Sequence, residues 1–169
     1  MIASKMNSIR SKKFHKSYLK VTAFVVGSFG PIFFLGTILS TSEPARWTLD
    51  LLSFPVDGLQ SYESPTTRFL SALTGGFLLG WGVTIWLLQR WVYDKAPEEV
   101  RKTVLSGLLS WCILDSAGSM ASGNGFNVIF NLIVLLIAIG PLWVSSNGDS
   151  DCNDRTAKVA VVSLIPEEI

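Results

Sequence analysis

The 46 residues between Lys102 and Asp149 contain a single formally charged side chain, that of Asp115. A helix that crosses a membrane needs roughly 20 consecutive, mostly apolar residues, so this stretch is long enough for two crossings. It is divided at residues 122–125, Ser-Gly-Asn-Gly, which are typical of a tight turn. The stretch therefore predicts two membrane-spanning helices in a hairpin, with one acidic residue inside the membrane.

Two further uncharged stretches, 21–42 and 69–89, are each long enough for one more crossing. We therefore predict an all-α membrane protein, a four-helix transmembrane bundle that forms one domain over residues 19–145. Two tails flank this domain: a basic tail that is expected to be disordered or to lie on anionic lipid, and a polar C-terminal tail. The predicted spans are about 19–39, 68–92, 100–122 and 126–144, and the tails are 1–18 and 146–169.

The charges are unevenly distributed, although the net charge of +1 argues against a general nucleic-acid binder. Basic residues cluster before the first span and around the loop between the second and third spans, whereas 41–67 has one, Arg46. Because Lys and Arg accumulate on the cytoplasmic side, we predict a multi-pass protein of a bacterial-type inner (plasma) membrane with both termini cytoplasmic. The two clusters are Lys5, Arg10, Lys12, Lys13, Lys16 and Lys20, and Arg90, Lys95, Arg101 and Lys102.

An alternative interpretation makes residues 1–42 a cleaved signal peptide, with a basic start and small residues at 40–42. The apolar part of such a peptide is usually about 7–15 residues long. Here the apolar stretch is longer and contains Gly30 and Pro31, so a retained first span is the favoured interpretation.

The first external segment contains the pattern of a short helix. Ser42 is followed by a proline two residues later, a common helix start. Trp47, Leu51 and Phe54 then recur at helical spacing, and Pro55 ends the pattern. We predict a short amphipathic helix lying at the membrane interface.

Asp115 is the main candidate for a functional residue. An ionised carboxylate in hydrocarbon costs from about 2.5 to more than 10 kcal/mol, so it should face the bundle interior, find a partner or be protonated. Counting 1.5 Å per residue from the turn places Asn131 at the depth of Asp115, with Asn127 and Ser119 above them; Arg68 could extend towards the group from the second span. These five residues predict either a polar cluster that fixes helix packing or a ligand pocket open to the outer face.

Two further patterns lie on the spans. Ala72, Gly76 and Gly80 repeat every four residues on the second span and predict a face for close helix packing. On the third span one helical face carries Gly107, Trp111, Asp115, Gly118 and Ser122. The tryptophans near the span ends are interpreted as interface anchors.

Other residue types with chemical potential do not form a recognisable site. Cys112 and Cys152 are far apart and there is no C-x-x-C motif, so a dithiol redox centre is not expected. His15 lies in the basic tail and is expected to be solvated. One histidine and one acid within the membrane cannot build a metal site.

Residues 68–82, RFLSALTGGFLLGWG, resemble the Gly-rich second helix of small four-helix membrane proteins of the DoxX-like group. Residues 114–119, LDSAGS, are similar to a segment of uncharacterised bacterial proteins of this kind, and the resemblance extends over about 20–145. It implies a four-helix fold and, for some members, quinone-linked oxidation of sulfur compounds. No catalytic residue is carried over, and the lack of paired cysteines separates the chain from four-helix disulfide oxidases.

Three functions remain open from these observations. The favoured one is a non-enzymatic accessory or structural subunit, whose partners are the lipid bilayer and further copies or other membrane subunits, and which needs no cofactor. The alternative is a quinone- or lipid-binding DoxX-like subunit of a membrane redox system. A small transporter is the third, although four spans without a repeat leave little room for alternating access.

Overall fold

The computed structural model describes the backbone of residues 2–143 and the side chains from Ser11 onwards. Within these residues the chain is helical and contains no strand. α3 continues into a π-helical turn, Leu88–Val92, and two 3-10 turns, Leu39–Thr41 and Gly140–Trp143, precede α2 and follow α5. The five α-helices are α1 (Ile2–Leu35), α2 (Glu43–Ser53), α3 (Pro65–Leu87), α4 (Pro97–Ala121) and α5 (Gly125–Ile139). The polar tail predicted at 146–169 lies outside the described residues.

Four of these helical segments are long and apolar enough to cross a membrane, which confirms the predicted number of long apolar helices. Their outward faces carry large apolar side chains: Phe24, Phe77, Leu114 and Leu136 are each between 73% and 77% exposed. A surface of this kind is unfavourable in water and suits a lipid environment. The four segments are Ser11–Leu35, Pro65–Val92, Pro97–Ala121 and Gly125–Trp143.

The predicted disorder of the basic tail is wrong for the described residues, because α1 begins at Ile2 and runs unbroken through it. Contacts to the rest of the bundle hold this part of the helix in place. Lys16 pairs with Asp94 in the loop before α4, and the Tyr93 hydroxyl donates to the Lys12 carbonyl over 3.2 Å. We call this end of the bundle the basic end and the opposite end the α2 end.

His15 is also not solvated as predicted; its side chain is buried at the basic end, with 3% exposure. It lies beside the Pro141 backbone and the ion pair of Arg101 with Glu98. Arg101 additionally donates to the Leu142 carbonyl over 2.9 Å. Sequence alone could not show this, since the residues that cover His15 come from α4 and the end of α5.

Close packing of α1 against α3 rests on four glycines. A side-chain carbon on Gly82 would lie 2.6 Å from the Gly27 Cα, and one on Gly75 would lie 2.7 Å from the Gly30 carbonyl oxygen. The close approach predicted for Ala72, Gly76 and Gly80 is therefore made by neighbouring positions instead. Gly76 and Gly80 point away from α1 into open space, with no atom within 4 Å of an added side-chain carbon.

The short helix predicted in the first external segment is present as α2, at the α2 end of the bundle; its position at a membrane interface stays a prediction. Its apolar residues Trp47, Leu51 and Phe54 are largely exposed, at 62%, 48% and 57%. The Phe54 ring stacks on that of Phe126 at the start of α5, with centroids 4.9 Å apart. Asp50 accepts the Gly58 amide over 2.8 Å and so folds the following loop back onto α2.

Candidate functional site

The hairpin of α4 and α5 sets the register of the polar residues. The turn between the two helices places Gly123 at a φ of +82°, a left-handed conformation that glycine adopts without strain. The Asn124 amide then closes the turn by donating to the Ser119 carbonyl over 2.8 Å. Because the turn is this short, residues equally distant from it meet across the hairpin, and Asn131 lies opposite Asp115.

Two asparagine amides converge on one carboxylate oxygen. Asn131 Nδ2 donates to Asp115 Oδ2 over 2.6 Å, and Asn127 Nδ2 donates to the same oxygen over 3.0 Å. Each amide also reaches a hydroxyl, Asn127 to Ser119 over 2.8 Å and Asn131 to Ser116 over 3.3 Å. An amide group has two hydrogens, so all four N–H bonds of the two asparagines are engaged. We call Asp115, Ser116, Ser119, Asn127 and Asn131 the polar cluster.

The oxygen atoms of the polar cluster are less well satisfied. Asn127 Oδ1 is buried and has no hydrogen-bond partner among the described residues. Asp115 Oδ1 likewise accepts no hydrogen bond within residues 11–143, whereas Oδ2 accepts two. Asn131 is 2% exposed and Ser119 is buried, but Asp115 is exposed. Asp115 Oδ1 is therefore available to a hydrogen-bond donor, whereas Asn127 Oδ1 is shielded by the atoms around it.

Next to the polar cluster is a cavity of about 160 Å³ lined by residues from all five helices. Its wall is mostly apolar and contains five aromatic rings, four of which form two edge-to-face pairs. Trp81 of α3 meets Trp111 of α4 with ring centroids 6.3 Å apart, and Phe29 of α1 meets Phe130 of α5 at 6.4 Å. Leu52 of α2 also contributes to the wall, so α2 helps to shape the cavity.

A groove on α4 lies beside this cavity, and Trp111 and Asp115 line both. Gly118, Ser119 and Ser122 line the remainder of the groove towards the turn. An added side-chain carbon on Gly118 would meet nothing within 4 Å. Asp115 is therefore reached from the α2 end of the bundle along small and hydroxyl-bearing residues.

Four of the five residues predicted from sequence come together, and Arg68 does not join them. Its guanidinium donates to the carbonyls of Tyr62 and Glu63 over 3.2 and 3.0 Å, at the start of α3. The guanidinium of Arg68 therefore binds loop carbonyls near its own helix start and not the carboxylate of Asp115. The same loop is fixed by Tyr62, whose pKa is raised by burial and whose hydroxyl lies 3.4 Å from Ser71 Oγ.

Sequence reasoning missed the aromatic wall and Ser116. Trp81 and Trp111 are half-buried and line the cavity. The sequence did carry one signal for this wall: Trp111 and Asp115 are four residues apart and so lie on one face of α4. The contributions of Phe29 and Phe130 depend on how α1 meets α5, which no local pattern encodes.

Among the described residues no group of three His, Cys, Asp or Glu side chains could hold a metal ion. The site therefore offers hydrogen bonding, one carboxyl group and aromatic surface rather than metal ligands. Comparison with protein-family models, curated proteins and solved structures finds no match to this chain.

Proposed function

We propose that the chain is a non-enzymatic integral membrane protein that binds a small lipophilic molecule with a polar group at Asp115. The observation that carries this proposal is the cavity itself, which is lined by five aromatic rings and by Asp115, Asn127 and Asn131 of the polar cluster. Binding pockets are typically apolar, with a few convergent polar groups that fix the orientation of the ligand. The arrangement around Asp115 has this composition.

The size of the cavity defines what can enter. A cavity of about 150 Å³ lined by apolar side chains binds benzene, so 160 Å³ accommodates one six-membered ring or a group of similar volume. Longer apolar parts of a ligand would have to leave through the side at which Asp115 is exposed. The DoxX-like resemblance would make a quinone head group one candidate of this size.

Orientation follows from the distribution of charge. Lys12, Lys16 and Arg101 lie at the basic end, and the positive-inside tendency favours that end on the cytoplasmic side. The α2 end, with the groove leading to Asp115, would then face the outside of an inner (plasma) membrane. A ligand would approach from the outer surface or the outer leaflet.

The competing explanation is that the polar cluster only fixes how α4 packs on α5. Hydrogen bonds between helices in membranes are worth about 0.6–2 kcal/mol each, so the cluster does stabilise the hairpin. Packing between α4 and α5, however, gives no reason for a mostly apolar pocket lined by residues of all five helices next to the cluster, whereas a bound ligand would occupy it.

The test is whether a larger side chain in the cavity wall removes a bound small molecule from the protein. Val134→Phe enlarges a residue of the cavity wall on α5, and Leu136→Phe makes a comparable change on the outward face, where Leu136 is 73% exposed. Native mass spectrometry of protein released from mild detergent should show a bound small molecule on wild type and Leu136→Phe. Val134→Phe should lose it. Equal occupancy in all three proteins, or a bare wild type, would contradict the proposal.

A second candidate function is that of an accessory subunit in a larger membrane assembly. The open face of α3 around Gly76 and Gly80 favours it, because a neighbouring helix could approach closely there. Cysteine crosslinking from Gly80→Cys in native membranes would report such a neighbour. Crosslinks at that position and none from Leu136→Cys would favour this candidate.

A further inference from the structure

We infer that the ligand of the cavity is a lipophilic organic cation with an N–H donor, that is, a protonated amine on an apolar body. The inference rests on the proposed function of the cavity and names the chemical class that it takes. It follows from three observations: the hydrogen-bonding state of the polar cluster, the absence of Asp115 from the ion pairs formed within residues 11–143, and the aromatic wall.

The polar cluster needs a hydrogen-bond donor from its ligand. All four N–H bonds of Asn127 and Asn131 are used on Asp115, Ser116 and Ser119. Asp115 Oδ1 accepts no hydrogen bond within residues 11–143, whereas Asp115 Oδ2 accepts two. A quinone or ketone carbonyl only accepts hydrogen bonds, so it would leave Asp115 Oδ1 without a donor. An ammonium group supplies up to three donors.

The carboxyl group of Asp115 also lacks a cationic partner. None of the three ion pairs formed within residues 11–143 includes it, and Arg68 is bound to loop carbonyls instead. Two amides donate to Asp115, but an ionised carboxylate within a membrane is still unfavourable unless a positive charge compensates it. A bound ammonium group would provide that charge and the missing donor together.

Aromatic side chains complete a site for a cation. Trp is the strongest of the side chains that attract cations to the face of the ring. Trp81 and Trp111 both line the cavity, and Trp111 lies one helical turn from Asp115. Phe29 and Phe130 supply apolar surface for the body of the ligand. Carboxylate, two indoles and apolar rings together favour an amine over a neutral ligand.

The groove gives such a ligand a route to Asp115. Gly118 leaves the groove open, and Ser119 and Ser122 line it towards the turn at the α2 end. A charged amine could follow these residues while its apolar part stays in lipid. It would not have to cross the hydrocarbon centre, where an isolated charge is most costly.

Three probes with one carbon skeleton test the inference at pH 7: 1-(4-butylphenyl)ethylamine, the corresponding alcohol and the corresponding ketone. They present a cationic donor, a neutral donor and a neutral acceptor, respectively. Binding is measured by equilibrium dialysis against the full chain in lipid nanodiscs, with empty nanodiscs as the blank for partitioning. The amine should bind about 10-fold to 100-fold more tightly than the ketone, because hydrogen bonds to charged groups are the stronger ones. The alcohol should lie between them.

The matched variants are Asp115→Asn and Asp57→Asn, which remove the same charge. Asn at 115 keeps an oxygen to accept from Asn131, and Asp57 is exposed in the loop after α2. Asp115→Asn should lose the preference for the amine, and Asp57→Asn should keep it. Wild type alone already tests the inference, should Asp115→Asn fail to fold.

The outcomes separate this inference from the proposed function. If the alcohol or the ketone binds as tightly as the amine, the inference that the ligand is a cation is wrong. If Val134→Phe also abolishes that binding, the cavity remains a binding site. Failure of all three probes to exceed the blank, together with a wild type that carries no small molecule in native mass spectrometry, overturns both. An amine preference that survives Asp115→Asn overturns the role given to Asp115.

Discussion

Gly82→Leu is expected to force α1 away from α3 and to destabilise the protein by about 3 kcal/mol or more, at or above the upper end of the usual range for overpacking. The first carbon of the new side chain would lie 2.6 Å from the Gly27 Cα and 2.8 Å from the Ala23 carbonyl oxygen. These atoms belong to the backbone of α1, so no side-chain rotation can relieve the contact. Unfolding in mixed micelles with increasing denaturing detergent, followed by circular dichroism, measures the loss.

Gly80→Leu is the matched control, since it lies two residues away on the same helix and an added side-chain carbon there meets nothing within 4 Å. It should unfold within about 1 kcal/mol of wild type, because Leu is a better helix former than Gly and can extend into lipid. Similar destabilisation by the two variants would show that α1 and α3 do not approach each other as described.

Asn131→Leu should destabilise the protein by about 1–3 kcal/mol, the usual penalty for leaving a polar group without its partner. Asn131 is 2% exposed and donates to Asp115 and Ser116, so its removal leaves the carboxylate with a single amide donor. The same substitution in an Asp115→Leu background should cost much less, because both members of the pair are then apolar. A double-mutant cycle on these four proteins measures the difference as a coupling energy.

Asn124→Leu serves as the control for this cycle. Its side chain reaches Ser122 at the exposed turn and does not touch Asp115, so its effect should add to that of Asp115→Leu. If the effects of Asn131→Leu and Asp115→Leu on the free energy of unfolding were also additive, the two residues would not interact. The polar cluster would then not stabilise the protein through this pair.

Much of the fold could be predicted from residue type and spacing. Uncharged stretches of sufficient length predicted the four long helices, and the helical spacing of Trp47, Leu51 and Phe54 predicted α2. Counting residues from the turn was enough to place Asn131 opposite Asp115, because a short hairpin fixes both helices relative to the turn. These inferences depend on local geometry, which the sequence encodes directly.

The predictions that were wrong share a different cause: they depend on contacts between distant parts of the chain. Gly75 and Gly76 are neighbours about 100° apart around α3, and only the position of α1 decides which of them is buried. His15 was expected in solvent, but α4 and the end of α5 cover it. Arg68 has loop carbonyls closer than Asp115. The cavity is likewise a product of five helices and has no counterpart in any single segment.

The most direct test of the central claim is a crystal structure of the full chain grown from a lipid mesophase without removal of co-purifying molecules. We expect electron density inside the cavity between Trp81, Trp111 and Phe130, with a polar atom within hydrogen-bond distance of Asp115 Oδ1. A cavity that is empty, or that is closed by movement of α4 towards α3, would contradict it and leave the polar cluster as a packing element alone.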